Sequence, residues 1–298
     1  MPGHTPVLLS DVLRTFDLQS DQIVIDATLG GGGHARAMLA RIAPAGRLLG
    51  LELDPRTLTT TADSLREFGR RVTLVQGSFR QLATLANANG FDQVDAILFD
   101  LGVSSMTLDD ASRGFSFQAN GPLDMRFDPD HQTLTAADLL NDGTLADLTT
   151  IIKAYGEEPA AARVAAAIVD RRRRERFADT ADLAEVVSSV VRRRGPRHPA
   201  TKTFQALRMA VNDELNALLD GLNQSLEVLK PGGRLGVITF HSLEDRIVKR
   251  FMRDQIKNHG ATLIAKVKPP RTEILSNPRS RSALLRILST SLSTNTKT

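Results

Sequence analysis

Ile23-Val24-Ile25-Asp26-Ala27-Thr28-Leu29-Gly30-Gly31-Gly32-Gly33-His34 sets a short β-branched run against a turn of four glycines, and 34–42 follows with helical spacing. Glycine at such a turn lets the backbone bend tightly and leaves no side chain between main-chain N–H groups and a ligand. Gly30-x-Gly32-x-x-Ala35 also fits the dinucleotide fingerprint, which alone is a weak signal. The next strand-like run, 46–53, ends at Glu52-Leu53-Asp54. Glu52 lies 22 residues after Gly30, where a carboxylate accepts hydrogen bonds from ribose hydroxyls in nucleotide-binding α/β folds. Pro55 opens the following helix at a position where its missing N–H costs little, and Asp54 before it reads as the cap. A third strand and helix are expected at 72–75 and 79–88. A fourth strand, 94–99, runs into Asp100-Leu101-Gly102-Val103-Ser104-Ser105.

Strands alternating with helices predict an α/β fold: a mostly parallel, Rossmann-like sheet covered on both faces, with an adenosine-type ligand at the carboxyl ends of its strands. No G-x-x-x-x-G-K-[ST] is present, which argues against a triphosphate in a P-loop. The glycine turn fits NAD and S-adenosylmethionine alike. Asp100 after the fourth strand and the extra C-terminal strands favour a methyltransferase over an NAD-dependent oxidoreductase.

After the fourth strand the alternation stops. Positions 107–201 show turn-rich polar sequence and then Ala- and Arg-rich helical sequence without a convincing strand, a domain-sized piece. A helix at 204–229, a turn at Lys230-Pro231-Gly232-Gly233, a strand at 234–240, a helix at 243–256 and strands at 261–267 and 282–288 complete the chain. The expected organisation is a cofactor-binding domain of 1–106 and 202–298 interrupted by a helical substrate-recognition insert, 107–201.

The 298 residues include 38 Lys and Arg against 34 Asp and Glu, no Cys, no Trp and one Tyr. Without cysteine there is no disulfide scaffold, thiolate zinc site or cysteine nucleophile. No signal peptide or charge-free span is evident, so a cytoplasmic protein is expected. The base-rich character is arginine character, 30 Arg against 8 Lys, and a planar fork of donors suits phosphate. Between Arg163 and Lys202 there are 11 basic and 5 acidic residues, including Arg171-Arg172-Arg173-Arg174 and Arg192-Arg193-Arg194, the expected grip on RNA. A solvated helix face is the competing reading.

The sequence resembles the bacterial small-subunit ribosomal RNA (cytosine-N4)-methyltransferases. The resemblance is carried by His4-Thr5-Pro6-Val7-Leu8-Leu9, Gly31-Gly32-Gly33-His34, Asp100-Leu101-Gly102-Val103-Ser104-Ser105, Arg113-Gly114-Phe115-Ser116-Phe117, Gly121-Pro122-Leu123-Asp124-Met125-Arg126, Tyr155-Gly156-Glu157-Glu158, His198-Pro199-Ala200-Thr201 and Phe240-His241-Ser242-Leu243-Glu244-Asp245-Arg246. It implies S-adenosylmethionine as cofactor and a decoding-region cytosine of small-subunit RNA, naked or in the 30S particle, as substrate. It further implies that Gly32, Gly33 and His34 hold the amino-acid part of the cofactor, Glu52 its ribose and Phe79 the adenine face, with Asp100 and Thr107 supplying the remaining contacts. The family has Asp at the position of Glu52 and Pro-Gln at Met106-Thr107.

The exocyclic amine of cytosine is a poor nucleophile because its lone pair is delocalised into the ring. An acceptor on its N–H helps it pyramidalise, and Asp100 and Ser104 are the candidates. His241 and Glu244 are weaker candidates, since a Ser242-x-x-Asp245 capping box explains the same cluster. Phe115 and Phe117 could stack on a flipped base or form the insert's small core. His4, His34 and His241 have no recognised ligand spacing, and no metal is expected. An RNA-binding assembly factor without catalysis is the rival from another class.

Overall fold

A computed structural model of the chain describes residues 6–193, 195 and 197–292. Two compact units emerge: one of residues up to Gly102 together with those from Leu215 onward, the other Val103–Glu214.

The first unit holds α1 (Leu9–Phe16), β1 (Ile23–Asp26), α2 (Gly33–Arg41), β2 (Arg47–Glu52), α3 (Pro55–Leu65), β3 (Val72–Gln76), α4 (Leu82–Ala88) and β4 (Val94–Asp100). The second holds α5 (Ser105–Asp109), α6 (Ala136–Asp142), α7 (Leu145–Gly156), α8 (Ala161–Arg172), α9 (Thr180–Val190) and α10 (Thr201–Asn212). The chain then returns to the first unit through α11 (Glu214–Val228), β5 (Leu229–Thr239), α12 (Ser242–His259), β6 (Thr262–Val267), α13 (Arg271–Ser276) and β7 (Leu284–Ser289).

The seven strands order as β3-β2-β1-β4-β5-β7-β6. β3 to β5 run parallel, while β7 is antiparallel to both β5 and β6. Because strand side chains alternate between faces, each strand feeds two cores. Ile25, Leu49, Ile97, Phe99 and Val237 pack with α4, α11 and α12 through Leu82, Leu222 and Phe251. Val24, Leu48, Ala96, Leu98 and Ile238 pack with α1 and α2 through Val12, Phe16, Met38 and Leu39. This alternation explains why the strands read as continuous apolar runs. The turn expected at 230–233 lies inside β5, which pairs Leu229 with Val94 and resumes at Arg234 opposite Ala96. The extra residues loop out as a bulge.

In the second unit Phe115, Leu140, Leu148, Ile152, Val164, Ile168, Leu183, Val187, Phe204, Leu207 and Val211 form one core. Its C-terminal boundary is therefore Glu214 and not 201. α10 packs on α7 and buries Phe204 and Leu207, each worth roughly 1.5–3 kcal/mol on leaving water, inside the insert. The single helix expected at 204–229 is broken at Asp213, which takes the left-handed conformation at φ 48°. The Arg208 guanidinium forks onto Glu214 across that break at 2.7 and 2.8 Å. Among the described residues no helix is long and apolar enough to cross a membrane.

Candidate active site

In a parallel sheet the crevice for ligands opens at the carboxyl ends of the two strands where the order reverses. Here those strands are β1 and β4, ending in Asp26 and Asp100. Thr28 ties the two ends together: its N–H donates to Asp26 Oδ1 at 3.3 Å, and its hydroxyl accepts from the Asp100 N–H at 2.6 Å. Asp26 is 1% exposed, and its Oδ2 has no hydrogen-bond partner among the described residues. Asp100 keeps part of its side chain exposed while its Oδ1 is sequestered and equally unpartnered. Burial, with Glu52 nearby, pushes the Asp26 carboxyl up to about 7. Burial, with Asp26 and Glu244 as acidic neighbours, holds Asp100 well above the ordinary carboxylate range.

The glycine turn is fixed from both sides. Glu52 accepts from the N–H groups of Gly30 and Asp54, each at 2.9 Å, and burial raises its carboxyl to about 6 despite those bonds. Gly32 adopts φ +74°, and a Cβ there would meet Thr61 Cγ2 at 2.7 Å; at Gly33 it would meet Pro6 Cγ at 2.3 Å. At Gly31 a Cβ would meet nothing within 4 Å, so that position faces open space. Gly32 also stands at the cap of α2 with no side chain to accept from the helix's first N–H groups, which suits that end to an anionic ligand group. His34 in that first turn is buried, with Nε2 3.0 Å from the Val7 carbonyl. A carbonyl only accepts, so Nε2 carries the proton and Nδ1 turns towards Asp100 Oδ2, 3.5 Å away.

Phe79 is half-buried at the start of the turn leading to α4, its ring edge-on to Phe99 with centroids 5.5 Å apart. Gly221 on α11 permits this, since a Cβ there would lie 2.9 Å from Phe79 Cδ2. Gly32, Gly33, His34, Glu52, Phe79 and Asp100 thus all belong to the sheet unit. Asp26 is the member that sequence reading missed. Its signal was an acid at the end of the first strand, directly before the glycine turn.

The sequence-based candidates in the insert have mostly structural roles. Ser104 caps α5, accepting from the Thr107 N–H at 3.1 Å, and its hydroxyl lies 2.8 Å from that of Thr107. Thr107 is buried, so these hydroxyls satisfy each other. Phe115 is no stacking platform: it is buried and stacked on Phe127 at 5.3 Å. Phe117 lies against His198 and Phe204 at 4.6 and 4.9 Å. The arginine run divides. Arg171 pairs with Asp182 at 3.0 Å, and Arg172 donates to the carbonyls of Leu140 and Gly143 at 2.7 Å, closing the end of α6. Only Arg173 and Arg174 are fully exposed. Arg194 lies outside the described residues.

At the start of α12 the capping box expected from Ser242 and Asp245 is instead formed one residue earlier by His241 and Glu244. Glu244 Oε2 accepts from the Phe240 N–H at 2.8 Å and the His241 N–H at 3.3 Å. Asp245 instead pairs with Arg286 on β7 at 2.8 Å. Among the described residues no group of three or more His, Asp or Glu could hold a metal, and His4 lies outside them.

The glycine turn, Asp100 at the end of β4 and the helical insert all lie in stretches that carry the resemblance, and the sequence profile of the MraW methylase family matches residues 1–291. The chain belongs to this family. As an MraW-family protein it is a methyltransferase, and its mostly parallel sheet is the Rossmann-like one expected. Three relatives are each named ribosomal RNA small subunit methyltransferase H. That of Methylobacterium nodulans is 46% identical, aligning over 96% of this chain and 90% of its own. That of Heliobacterium mobile is 44% identical over 95% and 97%. That of Thermomicrobium roseum is 46% identical over 95% and 92%.

Proposed function

We propose that this MraW-family enzyme transfers a methyl group from S-adenosylmethionine to N4 of a cytosine in the decoding region of small-subunit ribosomal RNA. The observation that carries the choice of cofactor is the acidity of the crevice. Glu52 holds the glycine turn, Asp26 precedes it, Asp100 lies beside His34 and Glu244 is an acidic neighbour of Asp100, with two buried carboxylate oxygens lacking partners among the described residues. Such a site disfavours the pyrophosphate of NAD and suits a ligand bearing an ammonium and a sulfonium.

The residues fit that ligand. The backbone at the start of α2, from Gly32 to His34, would take its carboxylate, Asp26 its ammonium and Glu52 its ribose, with Phe79 against the adenine. Bound S-adenosylmethionine supplies an electrophilic methyl carbon on a sulfonium. Asp100, through the exposed part of its carboxylate, accepts an N–H of the cytosine amine, draws the nitrogen lone pair out of conjugation and takes the proton that the amine loses. Asp100 carries the catalytic role in preference to Ser104, whose hydroxyl caps α5. A small-subunit RNA substrate puts the working enzyme in the cytoplasm.

Calorimetry against S-adenosylmethionine and NAD tests the cofactor. Transfer of labelled methyl to naked small-subunit RNA and to 30S particles, with the product nucleoside identified, tests the reaction. NAD binding, or a product other than N4-methylcytidine, would overturn the reading.

A further inference from the structure

The segment 246–286 carries 11 Lys and Arg against 2 Asp and Glu, a denser excess than the arginine-rich stretch of the insert. Its centre is α12. Arg246, Lys249, Arg250, Arg253 and Lys257 are all on its outward side, and all five are exposed. At 100° per residue they fall within one arc of about 100°, and at 1.5 Å per residue they extend for about 16 Å. The opposite face is Val248, Phe251 and Met252, buried in the sheet's core. Among the described residues Lys249, Arg250, Arg253 and Lys257 form no salt bridge, and their i,i+3 and i,i+4 spacings set like charges beside one another. A helix selected only for stability intersperses acids on such a face. The stripe starts two residues after Glu244, whose carboxylate acts on Asp100, so it leads away from the rim of the acidic crevice.

We infer that this face of α12 is a track for the phosphate backbone of the substrate RNA, separate from the insert's arginines. The inference rests on the RNA substrate proposed above. Charge complementarity selects the occupant. A membrane-surface helix needs an apolar face to bury in lipid, and that of α12 is spent on the core. A second copy of the chain docked through a two-fold would set cation against cation. Lys266 and Lys268 on and just after the edge strand β6 add to the field, but lysines on an edge also serve to block strand pairing, so they do not carry the assignment.

The test uses the full chain with S-adenosylmethionine and, as probe, transcribed small-subunit RNA, with affinity followed across about 50 to 200 mM salt. K249Q/R250Q/R253Q is expected to lower the slope of log affinity against log salt by about 2, at roughly 0.7 for each phosphate that the variant no longer neutralises. Affinity at low salt should fall at least about tenfold, with cofactor affinity and Tm unchanged. The charge-retaining K249R/R250K/R253K should keep the wild-type slope. An unchanged slope in the glutamine variant overturns the track. So does a wild-type protein that binds phosphatidylglycerol vesicles through these residues while its RNA slope is indifferent to them. A slope that falls in an enzyme making no N4-methylcytidine would defeat the proposed reaction and leave the track standing, so the two failures are distinguishable.

Discussion

The two units handle charge in opposite ways. The insert, Val103–Glu214, carries 15 basic and 17 acidic residues, and the rest of the chain 23 and 17. Inside the insert, charge is paired. Arg126 clamps Asp124 with two 2.7 Å bonds and donates to the carbonyls of Pro129 and Gln132. Buried Arg113 donates to the carbonyls of Arg126 and Phe127. Inside the sheet unit, buried Asp26 and half-buried Asp100 each keep one oxygen unpartnered among the described residues, while Lys249, Arg250, Arg253 and Lys257 on α12 form no salt bridge among them. Paired interior charge holds a loop-rich helical unit in one conformation. Unpaired interior acid is a cost to the fold that a cationic ligand can offset, which marks where binding occurs.

The largest effect should come from breaking the unpaired side of this contrast. Asp100→Ala is expected to lower methyl transfer by about 10²–10⁴-fold while leaving Tm unchanged or raised, because it removes an uncompensated buried carboxyl. Single-turnover kinetics with thermal melts checks this, and retained turnover would remove Asp100 from the chemistry. Next, Arg126→Ala in the insert should cost about 3 kcal/mol by orphaning Asp124 and two carbonyls. Urea unfolding measures it, and cofactor affinity should be untouched.

Acidity then sharpens the comparison. A carboxyl raised from 3.8 to about 7 in the fold binds more protons folded than unfolded, so its contribution to stability is complete below pH 4 and disappears as pH rises through 7. The free enzyme should therefore lose stability between pH 4 and 7 from Asp26. Over pH 4.5 to 6 Glu52 acts in the same sense. S-adenosylmethionine, favouring ionised acids, should bind up to about tenfold more tightly per pH unit across that window, with proton release visible as buffer-dependent calorimetric heat. pH-independent affinity would show that the acids do not face the ligand.

The smallest effect separates the halves of the arginine run. Arg173→Gln with Arg174→Gln should lower the salt slope of RNA binding by about 1 with no loss of stability. Arg172→Gln should leave the slope alone and cost about 1 kcal/mol through the freed carbonyls of Leu140 and Gly143.

Much of the sheet was legible because its signals are local. β-Branched runs, glycines and Pro55 after Asp54 act on their own backbones, and Asp54 does cap α3, accepting from the Arg56 N–H at 3.0 Å. What failed were readings that needed partners. Phe115 looks the same in sequence whether it faces a base or Phe127. Four consecutive arginines look like a patch, yet Arg171 and Arg172 in the last turn of α8 reach Asp182 and the carbonyls that close α6, and only Arg173 and Arg174, past the helix end, stay exposed. The denser stripe on α12 escaped notice for the converse reason, since its cations are spread at helical spacing among apolar residues.

The sequence by itself determined the strand and helix alternation, the glycine turn with Glu52 behind it, the existence of a helical insert and the family, since all of these are written in short-range pattern and order. Only the tertiary structure decided that Asp26 joins Asp100, that α10 belongs to the insert and that the surface excess of positive charge lies on α12. Burial and pairing depend on which distant residues meet. The same carboxylate is a solvated surface group or an unpartnered acid according to neighbours that a linear chain does not display.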